Sequence, residues 1–479
     1  MNLLLRLKWT SSCKPAQTQH TYTMAGIGFE IRKILNRDSY FALVRAYAYA
    51  GLISSGPWVL SILGLVAIGL LSVNVVVPTL LISQFQVSVT YLTMASLILT
   101  GVMQLSFTRW VSDQLYAKNA DNIVPNFAGV LLVTNVVAGT LAMLLVFVSF
   151  QQESVIYRAL MVAGFVTMCD IWIATIFMSG LKFYKTVVML FGGGYAISVL
   201  LALLLRGNGL VGLLAGYVVG QFMMLMGMVF IILRSFPAER LIAFDCFKPG
   251  AMLASLMAVG FLFNFAIWAD KIVFWIAEET SNAVIGPLRA SVIYDMPVFL
   301  AYLGIIPGMA VFLVRFETDF VDWYDRFYNA VRDGGSLEEI ARMRDAMVAA
   351  VRQGLFDIIK IQTLSVLLLV VFAPTIFSKL NISPLYLPLF YVDAVGASLQ
   401  VALLAVMNVF FYLDKRKEVL ITVTVLSLLN IALSVLSLRL GVAYYGYGFA
   451  LAMQITVVFA LRMLEYKLGR LEYETFMLQ

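Results

Sequence analysis

The sequence predicts an all-α polytopic membrane protein of about twelve transmembrane helices in two six-helix halves, with both termini in the cytoplasm (N-in/C-in). Three observations predict it. First, 62% of the 479 residues are hydrophobic and only 13% are charged, against roughly 25% charged in soluble domains. A water-soluble fold of this length leaves too much surface wet to hide such an excess. Second, the apolar residues run in windows of roughly 20 or more, the length that crosses a bilayer. Third, Lys and Arg sort onto alternate loops, as the positive-inside rule requires. A water-soluble enzyme and a disordered chain are both excluded. Cys13, Cys169 and Cys246 are too few and too scattered for a disulfide framework or a metal knuckle. No metal, cofactor or nucleic-acid partner is expected.

Residues 1–23 read as a non-native or disordered leader. Its apolar stretch, Met1–Leu5, is shorter than a signal-peptide core, and a second methionine, Met24, opens MAGIGFEIRK. Without Arg6, Lys8 and Lys14 the net charge of +6 falls by three, and the single histidine, His20, is lost. The body then holds no side chain that titrates intrinsically between about pH 5 and 8.

The spans follow in order: Phe41–Ser72, Ser88–Phe107, Val124–Val148, Val155–Gly180, Phe183–Leu205 and Gly209–Leu233 form the first half, residues 24–233. Pro57 lies inside the first span and is expected to kink it. The Gly192-Gly193-Gly194 run sits in an apolar span, so it reads as a packing or flexing site. A basic cytoplasmic linker, 234–250, leads to the second half, 251–479. Its spans are Met252–Ile276, Ala290–Val314, Leu355–Phe377, Leu385–Leu413, Val419–Leu438 and Val442–Met463. Outer loops then hold only Arg158, Arg206, Arg289, Lys379 and Arg439, while Lys271 and Lys360 lie within spans. Two six-helix halves are a common transporter plan, with the substrate path between them.

One sizeable polar insertion, 315–354, separates spans eight and nine. Phe320, Tyr324, Phe327 and Val331 share one helical face, with Trp323 and Tyr328 beside them. Gly334-Gly335 then breaks the pattern. Ser336 and Glu339 make a capping box, and Ile340, Met343, Met347 and Val351 recur at helical spacing. Two amphipathic helices follow, lying on the membrane or against the bundle. A sharper reading makes Trp323, Tyr324, Phe327, Ile340, Met343 and Met347 a docking surface for a cytoplasmic partner. No G-x-x-x-x-G-K-[ST] occurs, so a fused ATPase is excluded.

Ionisable residues at bilayer depth are costly and usually face a cavity or a partner. Asp170, Asp270 and Lys271 are the strongest candidates for a substrate path, with Asp295 and Asp393 weaker. Gln104, Gln221, Asn264, Asn430 and Gln454 add polar groups within the spans. Such a lining suits a polar or cationic cargo, a coupling proton or a sodium ion. The plainer alternative pairs Asp270 or Asp295 with Lys271, although adjacent helical residues point about 100° apart. Tyr47 and Tyr49 read as interfacial anchors, or alternatively as a sugar-stacking platform, with Arg45 at the cytoplasmic mouth.

The run Arg45 to Trp58, RAYAYAGLISSGPW, follows a short basic amphipathic lead that begins at Met24. Together they closely resemble the start of the PelG family, inner-membrane proteins of the bacterial Pel exopolysaccharide (biofilm) system. That family is similar to the multidrug/oligosaccharidyl-lipid/polysaccharide flippase superfamily. The resemblance implies export of the amino-sugar polymer Pel. It also implies a PelF-like glycosyltransferase and PelD-like and PelE-like membrane proteins as partners, in the inner-membrane bilayer. Rival readings are a cation-coupled drug or small-solute antiporter, a non-transporting scaffold of a polysaccharide synthase, and a membrane glycosyltransferase. The absence of a soluble catalytic domain argues against the last.

Overall fold

A computed structural model describes residues 40–477 except 182, 237 and 381. The leader, and the amphipathic lead from Met24, lie outside the described residues.

The first half begins with α1 (Tyr40–Ser72), which runs unbroken through Pro57. It continues with α2 (Leu80–Tyr116), α3 (Ile123–Ser149), α4 (Val155–Gly180), α5 (Tyr184–Leu205) and α6 (Gly209–Ser235). The second half holds α7 (Ala254–Ile276), strands β1 (Asn282–Ile285) and β2 (Leu288–Ala290), α8 (Val292–Leu303) and α9 (Ile306–Val314). A π-helical turn, Arg315–Phe320, leads into α10 (Val321–Arg332). Then come α11 (Leu337–Lys379), α12 (Leu387–Tyr412), α13 (Arg416–Leu440), α14 (Tyr447–Gly469) and the short α15 (Leu471–Met477).

Among the described residues, 11 helical stretches are long and apolar enough to cross a membrane. One of them, Tyr184–Ser235, has 52 residues, far more than the roughly 20 a single crossing needs. It doubles back at the turn Arg206–Asn208. Small residues make the hairpin tight: Gly216 abuts Ala202, Gly220 abuts Ser198 and Gly194 abuts Met224. As one chain rises the other falls, so α5 and α6 are antiparallel spans and the bundle has twelve crossings. In the triple-glycine run, Gly194 serves packing, whereas a side chain at Gly193 would meet nothing within 4 Å.

The core divides in two. One cluster centres on Phe127, Phe177 and Tyr217 of the first half, the other on Phe274, Phe316 and Phe410 of the second. The halves meet along α2 and α7. Ser106 Oγ accepts from Leu253 N (2.9 Å) at one end, and Tyr91 stacks on Trp275 (4.6 Å between centroids) at the other. At the middle, a Cβ on Gly260 would stand 2.1 Å from the Gly101 carbonyl oxygen, so only glycine admits this crossing. A second seam packs Ala46, Ala50 and Ile53 of α1 against Ala310, Leu313 and Val314 of α9.

The structure departs from the sequence expectation in three places. Span eight is two helices, interrupted at Gly304, because Pro307 stands in the first turn of α9 and proline tolerates only a helix start. The broken ladder is partly repaired by Ser365 Oγ donating to the Gly304 carbonyl at 2.9 Å. The loop before it, for which the sequence offers no element, is a β-hairpin turning at Gly286 (φ +50°). Finally, the insertion is not separate from span nine. α11 is one helix of 43 residues, about 65 Å long at 1.5 Å per residue.

Candidate functional site

The acids of the second half converge near the hairpin end. Asp270 on α7 is fully buried and accepts from Tyr294 Oη (2.8 Å) on α8 and Asn430 Nδ2 (3.3 Å) on α13. Asn430 also donates to the Ala266 carbonyl at 2.8 Å and accepts from Ser434 Oγ at 3.2 Å. Lys271 Nζ donates to Asp270 Oδ2 and Oδ1 at 3.0 and 3.3 Å and to the Ile267 carbonyl at 3.1 Å. The sequence geometry had argued against a direct Asp270–Lys271 contact. The long lysine stem overcomes the angle by folding back toward the preceding turn, the direction helical side chains favour. Around Nζ stand the rings of Tyr302 (5.1 Å), Phe449 (5.5 Å) and Trp268 (5.9 Å). Tyr302 is fixed by donating to Gln400 Oε1 at 2.8 Å, and Trp58 of α1 meets its ring edge-on at 5.9 Å.

Asp393 on α12 is 1% exposed, and neither carboxylate oxygen has a hydrogen-bond partner. It stands in the electrostatic field of both Asp270 and Lys271. Asp295 does not pair with Lys271. It accepts from Trp275 Nε1 at 2.9 and 3.0 Å and from Ser291 N at 3.0 Å, which caps the start of α8.

This end is also where the halves are bolted together. Gln84 of α2 donates to the Val284 carbonyl (3.0 Å), and Tyr91 Oη to the Arg289 carbonyl (2.9 Å). Arg289 in turn donates from Nε to Ser281 Oγ (2.8 Å) and from Nη2 to the Ser281 carbonyl (2.9 Å). Phe150 of the first half lies against Gly286 at the hairpin tip.

The remaining candidates do not line one path with these. Asp170 is buried within the first half, where one oxygen accepts from Asn135 Nδ2 (3.0 Å) and the other has no partner. Gln221 bridges α6 to Ser198 on α5 at 3.1 Å, an intra-half packing contact. Gln104 donates to Thr100 one turn back at 3.0 Å. Asn264 donates to the Gly260 carbonyl at 3.0 Å, beside the glycine crossing. Tyr47 lines a cavity of about 730 Å³ between α1, α9 and α11, with Arg315, Asp357 and Lys360. Arg315 pairs there with Asp357 (2.8 Å) and Asp319 (2.7 Å). Tyr49 is half-buried against the α1–α9 seam, and Arg45 is exposed.

The docking surface expected of the insertion is largely consumed by the fold. Phe327, Ile340 and Met347 are buried in the second-half core, and Trp323, Tyr324 and Met343 pack against it. The reason is the length of α11, which carries its amphipathic start back over the bundle. The amphipathic faces therefore lie largely against the chain itself, with Trp323, Tyr324 and Met343 left partly exposed.

Sequence reasoning missed Asn135, Tyr294, Tyr302, Gln400 and Tyr91. A lone Asn or Tyr in an apolar helix has no spacing signature. The one available signal was that Tyr294 immediately precedes an acid already singled out. Among the described residues, no three His, Cys, Asp or Glu side chains are placed to hold a metal ion.

A membrane bundle of two six-helix bodies meeting along a seam, with buried charge in each, has the plan of a multi-pass transporter. Solved structures share the fold. One is a MOP superfamily transporter from Pyrococcus furiosus whose description reads "Reverse polarity of binding pocket suggests different function" (TM-score 0.59, 12% identity, 89% of this chain and 96% of that one). Two more are multidrug resistance MATE family transporters of the MOP superfamily. The outward-facing one has TM-score 0.60 and 10% identity, covering 89% of this chain and 96% of that one. The inward-facing one has TM-score 0.60 and 11% identity, covering 93% and 98%. No curated protein matches by sequence. The family is settled by a model that matches residues 24–476, PelG, described as "Putative exopolysaccharide Exporter (EPS-E)". The chain belongs to the PelG family.

Proposed function

We propose that this protein carries the Pel exopolysaccharide across the bacterial inner membrane as the polymer leaves a PelF-like glycosyltransferase. PelD-like and PelE-like membrane proteins complete the assembly. The observation that carries the reading is the family match over 24–476, essentially the whole body of the chain, on a fold made of two helical bodies. The halves 24–233 and 251–479 act as the moving parts, in an N-in/C-in orientation. The seam where α1 and α2 meet α7 to α9 is the route. An acetylated amino sugar is neutral, so the route needs hydrogen-bonding groups more than charge, and Gln104, Asn264 and Tyr91 supply them there. Polymer synthesis, or an ion gradient, drives the movement. The protein is a carrier and does no chemistry on its cargo.

Deleting the protein from a Pel-secreting host, then restoring it with wild type or with Gln104→Ala/Asn264→Ala, tests this. Secreted polymer is measured alongside co-purification of the glycosyltransferase. Wild type should restore secretion, and the double variant should lower it with the complex intact. Normal secretion without the protein would overturn export. Unchanged secretion by the variant, with the complex assembled, would favour a scaffold. Extrusion of cationic dyes by the protein alone would favour a small-solute antiporter.

A further inference from the structure

Lys271 is surrounded far more completely than an ordinary buried ion pair needs. A carboxylate and a backbone carbonyl already accept its hydrogen bonds, at 3.0 and 3.1 Å. Yet three rings from three helices also stand 5.1, 5.5 and 5.9 Å from Nζ. Aromatic faces attract a cation through the ring quadrupole, and several faces around one point are the recognition set for an ammonium group. Phenolic and amide groups hold the walls in place: Tyr294 and Asn430 on Asp270, and Gln400 on Tyr302. A second buried acid, Asp393, lies within electrostatic reach of Lys271 with both oxygens unpartnered. The walls thus offer more oxygen and ring faces than a single ion pair needs. The salt bridge is enclosed by the ring set of a cation site.

We propose that this is a cation-binding site whose resident is the chain's own side chain. Lys271 is a tethered ammonium standing where a free cation would otherwise bind, and no sodium ion is held there. Emptied of the lysine, the site takes a small primary ammonium ion. Because a tethered cation cannot leave, its binding and release is not what drives transport. This inference rests on the cage geometry and not on the identity of the cargo.

The test uses full-length protein purified in detergent and read by thermal unfolding. Lys271→Ala removes three methylenes and the ammonium, which n-propylammonium replaces. The melting temperature of Lys271→Ala should rise saturably with n-propylammonium chloride and not with equal sodium chloride. Wild type should respond to neither, and Asp270→Asn/Lys271→Ala should respond to neither. A saturable sodium response in wild type, or an n-propylammonium response no larger than the sodium response in Lys271→Ala, overturns the proposal. If Lys271→Ala does not accumulate, a cycle of Asp270→Asn, Lys271→Met and their combination replaces it. Each single variant should lower the melting temperature, and the double should recover most of the loss. Additive losses overturn the proposal. Every readout is stability, so failure here leaves the export reading standing, and failed export leaves this one standing.

Discussion

At the residue scale, two buried acids of the second half should answer neutralisation in opposite ways. Asp270 accepts from a lysine, a tyrosine and an asparagine. Removing its charge strands Lys271, and breaking a buried pair typically costs about 3–5 kcal/mol. Asp393 accepts no hydrogen bond, so its buried carboxyl group has little to lose on neutralisation. Asp393→Asn should therefore leave the melting temperature unchanged or higher, while Asp270→Asn lowers it by many degrees. Equal losses would show that Asp393 has a partner of equal weight. The acids themselves were legible in the sequence, because a charge in an apolar run stands out. Their contacts were not. Asn430 stands out as a polar group within a span, but Tyr294 does not, and only the packing of α7 against α8 and α13 brings both to Asp270. The angle argument against Asp270–Lys271 failed because it treated a side chain of four methylenes as a direction rather than a reach.

At the element scale, the α2–α7 crossing depends on two glycines. A Cβ at Gly260 would stand 2.1 Å from a backbone oxygen and one at Gly101 2.6 Å from another, and backbone cannot move aside as a flexible side chain can. Gly260→Ala should force the halves apart and cost about 1–3 kcal/mol, the usual range for overpacking. Gly193→Ala meets nothing and should fall within about 0.5 kcal/mol of wild type. Thermal unfolding of both variants checks the contrast. A second element prediction concerns α15, whose Glu474 binds Lys415 and Lys467. Partial burial opposes its charge, but the two ammonium groups prevail and hold the carboxyl below its ordinary 4.5. A lowered folded pKa gives stability that is present above the unfolded value and lost as pH falls through the folded one. Amide exchange in α15 should therefore stay slow down to about pH 4.5 and quicken below it, and Glu474→Gln should flatten that dependence. The sequence showed the spans well because a crossing helix is one long apolar window. It hid the β-hairpin, since Asn282–Ala290 is too short for alternation to register, with only Gly286-Pro287 to mark its turn. It hid the break in span eight for a related reason. Pro307 follows Gly304 within a run that stays apolar throughout, so the hydropathy never drops.

For the whole molecule, the two ends of the seam are held differently. The hairpin end is closed by groups that reach from one half to the other: Gln84 to Val284, Tyr91 to Arg289, the Tyr91–Trp275 stack and Phe150 at the tip. At the opposite end, the ion pair between Arg109 and Asp414 spans 3.7 Å with both side chains about half exposed, and such surface pairs contribute about 0–1 kcal/mol. The hairpin end is therefore held by stacking and polar groups that reach across, whereas the opposite end relies on the Ser106–Leu253 hydrogen bond and the α1–α9 packing, with the Arg109–Asp414 pair adding little. Tyr91 is central to the hairpin end, because one side chain supplies both the stack and a hydrogen bond. Losing them removes about 2 kcal/mol, from roughly 1 for an aromatic pair and roughly 1 for the hydrogen bond. At about 1.4 kcal/mol per tenfold, Tyr91→Ala should speed exchange of the hairpin amides, residues 282–290, by roughly 30-fold. Tyr91→Phe keeps the stack and should give roughly a fivefold change. Arg109→Ala, at the opposite end, should leave the hairpin amides as they were. Hydrogen exchange on the three variants reads the outcome directly. Equal hairpin protection in Tyr91→Ala and wild type would show that the hairpin end is held by Gln84 and Phe150 instead.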